Sequence, residues 1–243
     1  MKTKFLVIGP NKLLPYLREE LQGAWSSKQL RWLIEHHRCH VNGFIQRFCS
    51  TKLRKGDEVE IFLEEPPTFE IPIIYEDHEL LVINKPAAFT SEKIGEHFKA
   101  LLVHRLDRDT TGVMLLAKNE QMQAKLEDLF RKRLVKKSYL TYVSPPPKKK
   151  HGLITTEIGG KTAETSWTFI KGNRKRALLR CSPKTGRTHQ IRLHLAGVGT
   201  PVEGDVVHGG RDQSQHRPLL HAEKITFEQR SFSAPLTLDM ETL

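Results

Sequence analysis

The stretch His104-Arg105-Leu106-Asp107-Arg108-Asp109-Thr110-Thr111-Gly112 lies between two apolar runs of strand length, residues 100–103 and 113–117. This order predicts a polar loop between two β-strands. The last four residues of the stretch are typical of turns, in which aspartate commonly supports the loop. Taken by itself, Asp107 is therefore better explained as a turn residue than as a catalytic group.

Around this loop, short apolar runs and single helices alternate irregularly. Residues 71–84 form a strand pattern with a turn at 76–78, and strand patterns follow at 138–143, 164–170 and 177–181. Asn119 can cap a helix that places Met122, Leu126, Leu129 and Phe130 on one face. A further short helix is expected over 188–196, ended by Gly197. The sequence therefore predicts an α+β domain with a mixed, largely antiparallel sheet.

The N-terminal part has a different pattern. Residues 13, 14, 17 and 21 are leucines at helical spacing, and Ser26-Ser27-Lys28-Gln29 is a capping box for a second helix that buries Leu30, Leu33 and Ile34. Val41-Asn42-Gly43 and Lys55-Gly56-Asp57 predict turns, and a strand follows over 57–63. The segment 64–69, Glu-Glu-Pro-Pro-Thr-Phe, fits neither a helical nor a strand pattern. We therefore predict a small α/β domain over 1–63, a linker over 64–69 and a larger domain over 70–243.

Composition narrows the class of partner. The 243 residues carry a formal net charge of +11, which indicates a polyanionic partner, with nucleic acid ahead of an acidic membrane surface. No apolar run approaches the roughly 20 residues that span a bilayer, and no signal-peptide core follows Met1. We expect a soluble cytoplasmic protein that uses no membrane. The three scattered cysteines and twelve histidines show no metal-ligand spacing, so no metal and no cofactor are expected.

Residues 104–112 resemble the signature of the RluA-type family of pseudouridine synthases, His-Arg-Leu-Asp, two residues, then usually Thr-Ser-Gly; here Thr111 replaces the serine. Further matches follow in the same order over about residues 71–230. They are Asn84-Lys85-Pro86, Lys136-Lys137-Ser138-Tyr139, Thr185-Gly186-Arg187-Thr188-His189-Gln190-Ile191-Arg192-Leu193-His194, Pro201-Val202-Glu203-Gly204-Asp205 and Leu219-Leu220-His221-Ala222. Together they favour a catalytic role for Asp107 over the turn explanation.

The resemblance implies an isomerase that detaches uracil from ribose, rotates it and rejoins it through carbon 5 while the base is out of its stack. Asp107 would be the catalytic carboxylate, either as a nucleophile or as a base that removes a ribose proton, and both routes need it ionised. By resemblance, Arg192 pairs with Asp107, which a guanidinium can do through two parallel hydrogen bonds. On the expected helix Arg192 follows Thr188 by four positions, so the two should lie on one face. Tyr139 would stack on the target base.

Other expected substrate contacts are less central. Arg105 resembles the arginine that fills the space left by the flipped nucleotide, and Ile191 would pack near the uracil or simply belong to the core. Lys85 and Arg187 are expected to support the pocket or meet phosphate, and the lysines at 148–150 to attract the RNA backbone without specificity.

Two stretches depart from the family pattern. Residues 87–100 look shortened, with Ala87-Ala88 where a glycine-containing continuation is expected, and Val207-His208-Gly209-Gly210 has histidine where tyrosine is more usual. Loops around a fixed scaffold commonly select the substrate. The departures therefore leave the choice of uridine open.

Residues 12–63 resemble the small RNA-binding domain named after ribosomal protein S four. The resemblance rests on two short helices, the Asn-Gly turn and the final strand after Gly56-Asp57. It implies that Lys28, Arg31 and Arg38 bind RNA, although charge on a surface helix is usually no more than a solvated face.

The leading hypothesis is therefore a monomeric pseudouridine synthase acting on structured RNA, with large-subunit ribosomal RNA ahead of transfer RNA as the partner. A second hypothesis is a non-catalytic RNA-binding or ribosome-assembly factor that keeps the fold. The third, a metal-dependent nuclease, would need clustered carboxylates or histidines that the sequence does not show.

Overall fold

The computed structural model describes residues 2–63, 71–210 and 217–241 of the 243. The chain divides into two compact units, Met1–Glu70 and Ile71–Leu243. The segment 64–69, predicted as a linker, lies outside the described residues.

The first unit packs two helices against short antiparallel strands. Its larger sheet has the strand order β1-β6-β3-β4, and β2 pairs with β5. The elements are β1 (Lys2–Leu6), β2 (Asn11–Lys12), α1 (Leu13–Glu20), α2 (Ser27–Glu35), β3 (Cys39–Val41), β4 (Phe44–Ile45), β5 (Lys52–Leu53) and β6 (Glu58–Phe62). Strand β1 was not predicted, because its lysine-rich sequence shows little apolar pattern and it forms by pairing with β6.

The local signals of the first unit act as predicted. Ser26 Oγ accepts from the Gln29 N–H at 3.2 Å, and Gln29 Oε1 accepts from the Ser26 N–H at 2.9 Å, which completes the capping box. Leu30, Leu33 and Ile34 of α2 are fully buried in the core of this unit. The turn between β3 and β4 uses residues 42 and 43 at φ 53° and 80°, as an Asn-Gly hairpin requires.

The second unit is built on one large sheet. Within residues 71–210 and 217–241, ten strands form this sheet, with β16 and β9 attached beside the path β12-β13-β14-β11-β15-β10-β8-β7. The elements are β7 (Ile73–Glu76), β8 (Leu80–Lys85), α3 (Ser91–Phe98), β9 (Leu101–Leu102), β10 (Thr111–Ala117), α4 (Glu120–Arg131), β11 (Lys136–Val143), β12 (His151–Ile154), β13 (Thr165–Gly172), β14 (Ala177–Pro183), α5 (Gln190–Gly197), β15 (Leu220–Phe227), β16 (Arg230–Ser233) and α6 (Leu238–Glu241).

The predicted mixed, largely antiparallel sheet is confirmed. Among the described strands, β10 and β15 pair in parallel and the other pairs are antiparallel. Strand β10 lies in the middle of the sheet and is buried along its whole length. At its start, Gly112 has φ +111°, and a Cβ there would lie 2.2 Å from the Ala222 carbonyl oxygen. Glycine is therefore required where the loop 104–110 enters the central strand.

The helices near the pocket differ from the prediction at two places. No helix was predicted within 87–100, but α3 lies there; Thr90 caps it through its side chain, and it ends at Lys99 in the left-handed conformation. The helix expected over 188–196 begins only at Gln190, because His189 adopts φ 53°, and Gly197 belongs to its last turn. Thr188 therefore lies outside α5 and does not share a helix face with Arg192.

Candidate active site

The loop 104–110 carries Asp107 into a pocket of about 730 Å³ in the second unit. Ser91 at the start of α3 fixes this loop, because its hydroxyl donates to the Leu106 carbonyl at 3.1 Å and accepts from the Leu106 N–H at 3.0 Å. The Thr110 N–H closes a turn on the Asp107 carbonyl at 3.1 Å. The side chain of Asp107 is 25% exposed, so a substrate can reach it.

His104 anchors the other end of the loop. Its Nε2 accepts from the Leu115 N–H of β10 at 2.9 Å, and its ring stacks on Phe130 of α4 with 4.9 Å between centroids. Burial, with a contribution from Lys137, lowers the pKa of His104 to about 3. The imidazole is therefore neutral, and its function here is to hold the loop on the sheet.

Arg192 is the main charge partner of the loop. Its Nη1 donates to Asp107 Oδ2 at 3.3 Å, as the sequence predicted. Its stronger bond is to Asp205, to which Nε and Nη2 donate at 2.7 and 2.8 Å in a bidentate pair. Burial opposes the charge of Arg192, but hydrogen bonding and attraction from both carboxylates raise its pKa above the ordinary arginine value.

Asp205 was not predicted as a site residue. It is 1% exposed, and although burial raises its pKa, the hydrogen bonds and charge of Arg192 outweigh that effect and lower it. The Gly204-Asp205 motif was visible in the sequence, but nothing local showed that its carboxylate reaches an arginine thirteen residues earlier. Asp205 fixes the guanidinium, so that one of its nitrogens remains directed at Asp107.

Tyr139 and Ile191 contribute apolar surface to the pocket wall. Tyr139, on β11, is half-buried, and burial, with a smaller effect of Asp107, raises the pKa of its phenol well above the ordinary value. Ile191, at the start of α5, is 6% exposed and also belongs to the core between α5 and the sheet. Ile191 therefore lies both in the pocket wall and in the core, so the choice between the two interpretations stays open.

The basic residues around the pocket outnumber the acidic ones. The Lys and Arg side chains that line it are Arg105, Arg108, Arg131, Arg133, Lys137, Lys184 and Arg187, and the carboxylates are Glu92 and Asp107. Arg105 is 75% exposed and lies 3.2 Å from Glu92, while Arg187 donates to the Thr162 carbonyl at 3.1 Å. Such a rim attracts an anionic backbone.

Lys85 fits one of the two roles that we expected for it. Its side chain is 0% exposed and its Nζ donates to the carbonyls of Pro86 and Arg108, both at 2.8 Å, so it cannot touch a substrate directly. Burial lowers the pKa of Lys85 to about 7, which the charge of Asp109 partly offsets. Of the two expected roles, direct contact with phosphate does not fit this burial, whereas support of the pocket does, because Lys85 lies behind the loop and binds its backbone oxygens.

Arg217 supports the same loop from another direction. It donates to the Asp109 carbonyl at 3.3 Å and forms a bidentate pair with Asp239 at 2.8 and 3.0 Å. The sequence did not indicate this role, since Arg217 follows no recognisable motif and its partner is near the C-terminus. Lys85 and Arg217 together bind two successive carbonyls of the loop that presents Asp107.

Lys28, Arg31 and Arg38 belong to the first unit. All three are exposed, the first two on α2 and the third shortly after its end. Among residues 2–63, 71–210 and 217–241, no helix is long and apolar enough to cross a membrane. In the same part of the chain, no group of three or more His, Cys, Asp or Glu side chains is arranged to hold a metal ion.

The family model and the relatives found by comparison with known proteins agree on one family. A family model described as RNA pseudouridylate synthase matches residues 79–197. An uncharacterized RNA pseudouridine synthase of Bacillus subtilis (strain 168) is 33% identical, and the match covers 79% of each chain. The ribosomal large subunit pseudouridine synthase D of Pasteurella multocida (strain Pm70) is 31% identical, over 92% of this chain and 87% of that protein.

A solved structure agrees with these sequence matches. Human RNA pseudouridylate synthase domain containing 4 superposes with a TM-score of 0.60 at 25% identity, covering 70% of this chain and 90% of that one. The two sequence relatives match over most of their length. The family model's match, residues 79–197, contains the residues that line the pocket apart from Leu220. The resemblance predicted from the motifs is thus confirmed, and the chain belongs to the RNA pseudouridylate synthase family, a family of isomerases.

Proposed function

We propose that Asp107 is the catalytic carboxylate of this pseudouridine synthase and that the pocket beside it receives a flipped uridine. The observation that carries the proposal is the chain of contacts from Asp205 through Arg192 to Asp107, which directs a fixed guanidinium at an accessible carboxylate. Either chemical route needs an ionised carboxylate, and Arg192 Nη1 places a positive charge 3.3 Å from Asp107 Oδ2. Whether Asp107 attacks the nucleotide or removes a ribose proton stays open.

The other pocket residues fit supporting roles. Tyr139 offers a neutral ring of the kind that stacks on a base, and Ile191 offers apolar contact beside it. Arg105, exposed at the rim, can enter the space that a flipped nucleotide leaves, since Glu92 binds it only through a solvent-exposed ion pair. Arg187 lies where a phosphate could be bound.

The test is conversion of uridine in a transcript by the purified protein, without added metal or cofactor. Asp107→Asn and Asp107→Ala should abolish conversion while RNA binding, measured by filter retention, remains. Glu127→Gln, which removes an exposed carboxylate on α4 outside the pocket lining, is the control and should convert at the wild-type rate. Conversion by either Asp107 variant, or conversion that requires a metal, would refute the proposal.

We propose structured ribosomal RNA of the large subunit as the substrate. The support is the relative from Pasteurella multocida, whose name assigns it to that RNA and which matches 92% of this chain. Transfer RNA is the other substrate to test. Mapping pseudouridines in cells with and without the gene tests the assignment, and a missing modification in transfer RNA alone would overturn it.

We also propose that the first unit is an RNA-binding domain of the ribosomal protein S four type. The support is the exposed basic trio Lys28, Arg31 and Arg38 beside the capped helix α2. Replacing all three with alanine should weaken RNA binding and reduce the slope of log affinity against log salt by roughly two to three, because each phosphate contact contributes about 0.7 to 0.9.

A charge-matched control distinguishes a binding face from net charge. Lys12, Lys52 and Lys55 are also exposed in the first unit, and their replacement by alanine removes the same charge. This second trio should change the slope much less. Equal effects of the two trios would show that only the overall charge matters.

A further inference from the structure

Two histidines form a pair at the edge of the active site that the proposed chemistry does not use. His189 Nδ1 and His208 Nε2 are 2.9 Å apart, with their rings 5.1 Å apart and inclined by 69°. The other ring nitrogen of His189, Nε2, lies 4.0 Å from Asp107 Oδ1. The pair therefore connects the proposed catalytic carboxylate to a histidine behind it.

The backbone holds both rings in place. His189 caps α5 from the left-handed region at φ 53°, which is uncommon for a residue with a side chain. The N–H of His208 donates to Asp205 Oδ1 at 3.2 Å, so the carboxylate that fixes Arg192 also fixes His208. The ion pair between Arg192 and Asp205 therefore also influences the position of His208.

A neutral imidazole has one donor and one acceptor nitrogen, so a bond between two neutral histidines has a direction. Asp107 is an acceptor when ionised, and it favours the form of His189 that carries its proton on Nε2. The Nδ1 of His189 must then accept, which makes His208 Nε2 the donor. In the opposite direction, a lone pair of His189 would face the carboxylate, an unfavourable arrangement.

We propose that His208 is a positioning residue: by donating its Nε2–H to His189 Nδ1, it holds the Nε2–H of His189 toward Asp107. Asp107 Oδ1 then faces a polarised N–H at 4.0 Å, in addition to the hydrogen bond that Asp107 Oδ2 accepts from Arg192. The inference rests on the proposed role of Asp107. His189 lines the pocket, whereas His208 acts only through it.

Charged groups from several parts of the site face the pair. The charged groups facing the pair are Asp107 from the loop, Arg192 from α5 and Asp205. Burial, helped by Arg192 and His189, lowers the pKa of His208, while Asp205 and Asp107 oppose that effect. The neutral form of His208 that this shift favours has one N–H, which it can donate to His189 Nδ1.

The experiment compares single-turnover conversion by full-length wild type, His208→Phe and His208→Gln near pH 7. His208→Phe should be roughly tenfold slower, the effect of about 1.4 kcal/mol from one lost hydrogen bond. His208→Gln retains an N–H donor, so it should recover most of the rate. His151→Phe, on exposed strand β12, should behave as wild type.

A wild-type rate for His208→Phe would overturn the proposal, and so would a His208→Gln variant as slow as His208→Phe. If wild type converts no uridine, the proposed function fails, whereas the position of the proton on His189 still tests the pairing, so the two failures are distinguishable. Nitrogen NMR of labelled histidines gives a readout besides activity: His189 should carry its proton on Nε2 at neutral pH in wild type. A proton on Nδ1 instead would contradict the inference.

Discussion

Asp205→Asn removes one charge from the buried pair that orients Arg192 while keeping the shape of the side chain. In the wild type, Asp205 accepts two hydrogen bonds from the guanidinium at 2.7 and 2.8 Å, and it is 1% exposed. An asparagine offers one acceptor oxygen, and its amide nitrogen would face a guanidinium N–H as a second donor. The substitution therefore loses at least one charge-assisted bond in a place that water barely reaches.

The size of the effect follows from that geometry. Breaking a buried ion pair by removing one partner costs about 3–5 kcal/mol. The value expected here is at the lower end, about 3 kcal/mol, because Asp107 still offers Arg192 an acceptor at 3.3 Å. For a chain of this size, such a loss lowers the melting temperature by roughly 6–12 °C. Conversion of uridine should also slow, since the guanidinium is no longer held toward Asp107.

The pH dependence checks the mechanism. Because the pKa of Asp205 is lowered in the folded protein, its stabilisation is fully present above the unfolded value of about 3.9 and is lost as the pH falls through the folded value. In urea denaturation, the free energies of unfolding of wild type and Asp205→Asn should therefore show their full difference at pH 7 and become equal below about pH 4.

The control is Asp128→Asn, which removes a carboxylate that pairs with Arg131 and Lys132 on the exposed side of α4. Exposed pairs contribute little, so this variant should melt close to the wild type. A difference between wild type and Asp205→Asn that is as small as this control, or that persists unchanged in acid, would refute the reasoning.

Two further predictions concern the support of the loop. Burial lowers the pKa of Lys85 to about 7, so the folded protein binds fewer protons than the unfolded one up to about pH 10.4. In urea denaturation, the free energy of unfolding of wild type minus that of Lys85→Met should therefore rise between about pH 7 and 10, by up to roughly 4 kcal/mol. A difference that stays constant over this range would contradict the prediction. Gly112→Ala would place a Cβ 2.2 Å from the Ala222 carbonyl oxygen at φ +111°, and should cost more than about 3 kcal/mol or prevent folding. Gly197→Ala, with open space around it, should leave the melting temperature unchanged or slightly higher, and similar melting of both alanine variants would count against this account.

Several elements could be predicted because their signals are local. The capping box of α2, the Asn-Gly turn between β3 and β4, and the apolar face of α4 depend on residues within a few positions of one another. Their hydrogen bonds form within one turn of chain. Helix α3 and strand β1 have weaker patterns and depend on packing against other elements, so they were missed.

The sequence by itself determined the ordered motifs, and with them the family, the place of Asp107 in a loop between strands and its pairing with Arg192. Only the tertiary structure decided that Lys85 lies behind that loop, that Asp205 fixes Arg192 and that His208 reaches His189. The physical reason is that side-chain direction depends on backbone conformation and burial, which distant strands and helices impose. A motif fixes which residues are present, whereas the packed sheet fixes which of their atoms meet.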